Sequence, residues 1–278
     1  MTASGAPGAD FSLSGRVAVV TGGAGLLGPK HAEAIAAAGG IPVIADLRAA
    51  DADRVAGELA HRFGVPAMGA ALDVTDEASV AALAAQVHKL FGRVDILVNN
   101  AANNPRVEDG ARAFARLESF SLAQWNADLA VGLTGAFLCA RAFGTAMAQA
   151  GRGTIVNISS EYGVIGPDQR LYRVEGAADA EQPAKPVSYT AVKAGLHGLT
   201  LYLATYWAAA GVRVNTITVG GVENGQDATF LARAASRIPM GRMARAHEYQ
   251  GALVYLCSDA ASFVTGANLV VDGGKTAW

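Results

Sequence analysis

Tyr189 and Lys193 stand four residues apart in Ser188 to Ala210, a segment that reads as helix, so the phenol and the ammonium share one face with their tips close together. A free phenol ionises near pH ~10, too high for ready proton exchange at neutral pH, and a neighbouring ammonium favours the phenolate. The two are therefore a candidate proton-transfer pair. Such spacing also arises by chance in a chain with 7 Tyr, so context decides. The helix follows an apolar strand, Gly153 to Ser160, whose C-terminal end presents Ser159 and Ser160, hydroxyls able to hold a reacting oxygen.

A second constellation opens the chain. Arg16 to Asp46 reads strand, glycine-rich turn, helix, strand, with a carboxylate at the far end. Val17 to Val20 form a continuous apolar run, as in a strand buried on both faces of a parallel sheet. Gly22, Gly25 and Gly28 allow a sharp bend and a close approach to a ligand. The N–H groups of the following helix, with Pro29 in its first turn, face an anion such as a pyrophosphate. Asp46 ends the next apolar run, where the adenosine ribose of a dinucleotide presents its 2′-hydroxyl. A carboxylate there accepts from the free diol and repels a 2′-phosphate, so NAD is expected in preference to NADP. Arg48 is the residue that would favour the phosphate.

These residues need a scaffold, and the rest of the chain supplies one. Helical stretches at Asp51 to Phe63, from Thr75 onward, at Ser121 to Ala150 and at Ser188 to Ala210 alternate with apolar strands at Ala67 to Leu72, Val94 to Val98, Gly153 to Ser160, Val212 to Val219 and Asn268 to Val271. The alternation predicts an α/β fold, a doubly wound parallel sheet in three layers, α/β/α. With 278 residues and 51% hydrophobic content the chain suits one domain over 11–278 after a short leader over 1–10. Glu161 to Val187 supports neither period; a segment of that length leaving the catalytic edge reads as a lid-like insert. Its Glu161, Tyr162, Arg170, Tyr172 and Arg173 are candidate substrate residues, polar enough for a sugar or sugar acid.

Composition excludes other classes. A formal charge of −2 with scattered cations leaves no nucleic-acid or acidic-membrane footprint. No run reaches the roughly 18 apolar residues of a membrane span, and the N-terminus lacks the features of a secretory signal. The 5 His form no ligand spacing, so no metal site is expected. Cys139 and Cys257 lack CxxC spacing and read as structural thiols of a cytoplasmic protein.

Taken in order, the motifs resemble those of the short-chain dehydrogenase/reductase family, single-domain branch, from Val17 to Gly274. Thr21-Gly22 with Gly28 resembles its cofactor turn, Asp73-Val74 its adenine-contacting pair and Asn99-Asn100-Ala101 its strand-four motif. Ser160 resembles its catalytic serine, Tyr189 and Lys193 its catalytic pair, and Val271-Asp272-Gly273-Gly274 its C-terminal signature. The resemblance implies a Rossmann fold that binds a nicotinamide dinucleotide through Gly22, Gly25, Leu26, Leu27, Gly28, Asp46, Asp73, Val74, Asn100, Ala101, Ala102, Tyr189, Lys193, Gly220 and Val222. It implies Tyr189 as general acid/base, Ser160 as holder of the substrate oxygen, and Lys193 as the group that lowers the tyrosine pKa and binds the nicotinamide ribose. Hydride would pass between the nicotinamide and a carbinol or carbonyl carbon of a small polar substrate, in a homotetramer or homodimer built on the long helices.

Departures from the family pattern keep two other readings open. Leu26 replaces a glycine, which gives a spacing closer to the family's extended branch and suggests a sugar epimerase or dehydratase. Gly132 stands where the family carries a catalytic asparagine, which suggests a non-catalytic dinucleotide-sensing protein. Val219-Gly220 replaces a Pro-Gly, and Asn224 takes the place of a threonine downstream.

Overall fold

A computed structural model describes residues 10–103 and 116–278. The expected leader falls outside these residues apart from Asp10, as does most of the polar loop after strand four. Seven strands form one sheet: β1 Val17–Thr21, β2 Ile41–Asp46, β3 Met68–Ala71, β4 Ile96–Asn99, β5 Gly153–Ser160, β6 Val212–Val219 and β7 Asn268–Val271. Their spatial order is β3-β2-β1-β4-β5-β6-β7, and every pairing is parallel. The order reverses at β1, so the chain winds outward in both directions from there.

Among the described residues the helices are α1 Gly28–Ala37, α2 Ala49–Phe63, α3 Glu77–Phe91, α4 Leu122–Gln149, α5 Val187–Trp207, α6 Ala228–Ala235 and α7 Gln250–Cys257; all but α6 cover the two faces of the sheet. Alternate residues of each strand face opposite layers. Val17, Val19, Leu97 and Ile155 pack with Leu138, Phe143 and Met147 of α4 and with Leu203 and Trp207 of α5. Ala18, Val20, Val98 and Val156 pack with Ile35 of α1, Leu59 of α2 and Leu253 and Leu256 of α7. This double burial is the physical reason for continuous apolar runs rather than alternation.

The α4 helix, Leu122–Gln149, is long and apolar enough to cross a membrane by length and composition alone. Its apolar side chains Leu138, Cys139, Phe143 and Met147 are instead buried in the core beside β4 and β5. Two wider π turns interrupt it, at Ala130–Thr134 and Ala140–Gly144. Burial pushes the Cys139 and Cys257 thiols up to about 12, which makes them inert apolar side chains. His31 is wholly buried in α1 with neither ring nitrogen hydrogen-bonded, and burial pushes it down to about 4, so it packs as a neutral ring.

Candidate active site

The reversal at β1 sets the C-terminal ends of β1 and β4 side by side, which is where open α/β sheets leave a crevice. Asn100, just past β4, donates from its amide to the carbonyls of Thr21 and Gly22, both at 2.9 Å. Thr21 Oγ1 accepts from the Asn100 and Ala101 backbone N–H groups, each at 3.1 Å. These bonds fix the glycine turn against the end of β4. Gly22 has φ +59°, and a Cβ there would lie 2.9 Å from Ala101 Cα, so glycine is required twice over. Gly28 sits behind the turn: its Cβ would come within 2.3 Å of the Gly22 carbonyl oxygen. It does not line the crevice, so its service to a ligand is the close packing of α1 and not direct contact. Gly23, not singled out from sequence, is equally constrained, with a Cβ position 2.7 Å from Ile44 Cγ2.

The α1 N-terminus has no side-chain cap, and Pro29 occupies its first turn. Its leading N–H groups thus face the crevice end of the turn without a side-chain acceptor, as a pyrophosphate site needs. Asp46, at the end of β2, accepts from the Ala24 N–H at 3.1 Å, which holds its carboxylate against the same turn. Arg48 is ion-paired with Asp51 and points to solvent. A single cavity of about 550 Å³ is lined by Gly22, Gly25, Leu26, Leu27, Asp46, Asp73 and Val74 at one end. Asn100, Ala101, Ala102, Gly220 and Val222 line its middle, and Ser160, Tyr189 and Lys193 the other end. The cradle therefore fits an extended dinucleotide whose nicotinamide would lie by Tyr189. Among the described residues no group of His, Cys, Asp or Glu could hold a metal ion.

At the far end of the cavity, β5 delivers Ser160 and α5 delivers Tyr189 and Lys193. Ser160 accepts the Tyr162 N–H at 3.3 Å, and its hydroxyl lies near enough to Tyr189 to favour the phenolate as a hydrogen-bond partner. Burial outweighs that effect, and the nearby Glu161 charge opposes it, so Tyr189 is raised above its ordinary value. Lys193 does not reverse this. Its Nζ donates to the Ile158 carbonyl at 2.8 Å and stands 5.7 Å from the Tyr189 ring centroid, and burial pushes it down to about 8. The ammonium is thus turned to a backbone oxygen, and burial remains the largest influence on Tyr189. A second cation is closer: Lys185 Nζ lies 4.0 Å from the same centroid, pushed down to about 8 by burial and then by repulsion from Lys193.

The insert builds a wall beside these groups. Short helical turns at Glu161–Gly163, Gln169–Tyr172 and Asp179–Glu181 replace the irregular loop that the sequence suggested. The buried Gln182 side chain pins it internally, accepting from Val174 N and donating to the Val174 and Ala177 carbonyls. Leu171 and Tyr172 pack on Ala234, Ile238 and Met243, with Phe230 of α6 against them. Glu161, Tyr162 and Tyr172 line the cavity. Arg170 and Arg173 do not: Arg170 pairs with Asp168 and Arg173 with Asp179, both mostly exposed. Asp168, gripped by Arg170 and Arg237, is held well below the usual carboxylate range and locks the insert to the segment after α6. Two cavity lysines escaped the sequence reading, Lys185 and Lys275, the latter paired with Glu161. Gly132 lies where α4 meets α5, and a Cβ there would come within 2.4 Å of Val192 Cγ1, so this helix contact has no room for an asparagine as it stands.

Comparison with known proteins follows the same lines. A family model described as enoyl-(acyl carrier protein) reductase matches residues 24–276. The chain is similar to D-threitol dehydrogenase of Mycolicibacterium smegmatis, 40% identical over 96% of this chain and 95% of that protein. It is equally similar to cis-4-hydroxycyclohexanecarboxylate dehydrogenase of Sinomonas cyclohexanicum, 40% identical over 94% of this chain and 97% of the relative. Among solved structures, a gluconate 5-dehydrogenase from Burkholderia cenocepacia, in complex with NADP and tartrate, superposes with a TM-score of 0.84 at 31% identity, covering 97% of this chain and 98% of the other.

Proposed function

The chain belongs to the short-chain dehydrogenase/reductase family and is an oxidoreductase of that family; from this premise we propose that it interconverts a secondary carbinol of a short polyol and the matching ketone, using NAD. The observation that carries the reading is the single cavity running from the glycine turn and Asp46 to Ser160, Tyr189 and Lys193. A bound nicotinamide supplies the hydride acceptor or donor. Ser160 and Tyr189, at the same end of the cavity, would bracket one oxygen position. In oxidation Tyr189 takes the proton from the hydroxyl there while the hydride leaves its carbon; in reduction it returns the proton to the new alkoxide. Lys193, fixed by the Ile158 carbonyl, stands behind Tyr189 to hold the nicotinamide ribose.

The polar wall of Glu161, Tyr162, Tyr172 and Lys185 suits a hydroxylated substrate, and relatives named for threitol and gluconate support that class. NAD is favoured because Asp46 occupies the end of β2 and Arg48 is engaged by Asp51. A titration of both cofactors tests this: NAD should bind more tightly than NADP, and Asp46→Ala should narrow the gap by about ten-fold or more. Tighter NADP binding by the native protein would contradict it.

Self-association as a homotetramer or homodimer is part of the proposal. Exposed Leu201, Tyr202 and Tyr206 on α5 and Phe137 on α4 supply apolar surface for it, and a monomer by light scattering at micromolar concentration would contradict it. Two buried, unpaired thiols suit a reducing compartment, and the cytoplasm is the proposed location.

A further inference from the structure

One charge pair in the cavity wall has no part in proton transfer. Glu161 follows Ser160 directly, and its side chain is only 4% exposed; Lys275, just past Gly274 in the turn Lys275–Ala277, is 9% exposed. Lys275 Nζ donates to Glu161 Oε1, while the buried Oε2 has no hydrogen-bond partner. Burial raises the Glu161 carboxyl above its ordinary value; Lys275 and, more weakly, the nearby Gly221 N–H oppose that rise, and Oε2 itself has no hydrogen-bond partner. Lys275 Nζ also stands 4.8 Å from the Tyr162 ring centroid, and that ring meets Tyr189 edge-on at 6.5 Å. The pair is thus packed through one tyrosine onto the proposed acid/base.

Stability does not explain the arrangement. Burying two charges is costly, and a carboxylate oxygen left without a donor adds to the cost. A buried polar atom without a partner calls for an explanation, and a donor arriving with a ligand is one. Glu161, Lys275 and Ser160 all line the same cavity, and Glu161 is the chain neighbour of the residue that holds the reacting oxygen. Beside them the Tyr172 hydroxyl donates to that of Tyr162 at 3.3 Å.

Resting on the oxidoreductase reading above, we propose that Glu161 Oε2 accepts a hydrogen bond from the substrate hydroxyl on the carbon next to the one oxidised, with Lys275 fixing the carboxylate, so that the site selects vicinal diols over isolated alcohols. The two relatives at 40% identity bracket the choice. Threitol carries hydroxyls on neighbouring carbons; 4-hydroxycyclohexanecarboxylate carries one isolated hydroxyl and a carboxylate that Glu161 would repel.

The test is a matched pair, butane-2,3-diol against butan-2-ol, which differ by the one hydroxyl in question. The native enzyme should favour the diol in kcat/KM. Glu161→Gln keeps the volume, turns its carbonyl oxygen to Lys275 and sets an amide donor where Oε2 stood. It should lower the diol-to-alcohol ratio about ten-fold or more, chiefly through the KM for the diol. Lys275→Met should move the ratio the same way, and NAD affinity measured by direct titration should show that both variants are folded. A ratio unchanged in Glu161→Gln overturns the inference alone. A native enzyme that oxidises neither compound nor any longer polyol overturns the functional reading, and this inference with it.

Discussion

Removing the Tyr189 hydroxyl while keeping its ring isolates the proton-transfer step. Tyr189→Phe should lower turnover by about 10² or more with cofactor binding largely retained; near-native turnover would shift the role to another acid. The direction of the tyrosine's pKa shift adds a pH test. Burial raises Tyr189, so the hydroxyl is protonated at neutral pH and the base form needed for oxidation grows as pH rises. Oxidation should therefore speed up from neutral into alkaline pH while ketone reduction slows, and parallel profiles would contradict Tyr189 as the group shared by both directions. Tyr189 and Lys193 were legible in the sequence because a helix brings residues four apart onto one face. Lys185 and Lys275 were not. Lys185 is only four residues before Tyr189 but precedes the helix that begins at Val187, so helical spacing does not mark their meeting. Lys275 comes from the turn after β7, far in sequence from Glu161, and no local spacing marks that pair.

At the scale of elements, the β-α alternation was readable because strands buried on both faces must be continuously apolar. β5, β6 and β7 begin and end where the pattern predicted. The glycine turn was readable in type but not in division of labour, since the contact between Gly28 and Gly22 depends on how α1 packs. The insert was the least legible part. Its turns are held by Gln182, by Asp168 and by packing on α6, contacts between segments that carry no period. Its arginines, promising as charges, are consumed by Asp168 and Asp179. Leu171 is 3% exposed and anchors the insert without lining the cavity. Leu171→Ala should loosen that wall and raise the KM for a polyol several-fold, with NAD affinity nearly unchanged. An unchanged KM would show that the insert is not part of the substrate site.

For the whole molecule, the consequence of the doubly wound sheet is that groups from the ends of six strands open onto one cavity, so cofactor recognition and proton transfer cannot be separated in space. The central claim is that a hydride leaves a substrate carbinol for the nicotinamide while Tyr189 takes the proton. The most direct measurement uses threitol deuterated at its secondary carbinol carbons, incubated with NAD and the native enzyme, with both products analysed by mass spectrometry. The account predicts reduced cofactor carrying the deuterium and a ketose formed in equal amount. Label retained in a rearranged or dehydrated sugar with no net reduced cofactor, or cofactor binding without turnover across the polyols, would contradict it.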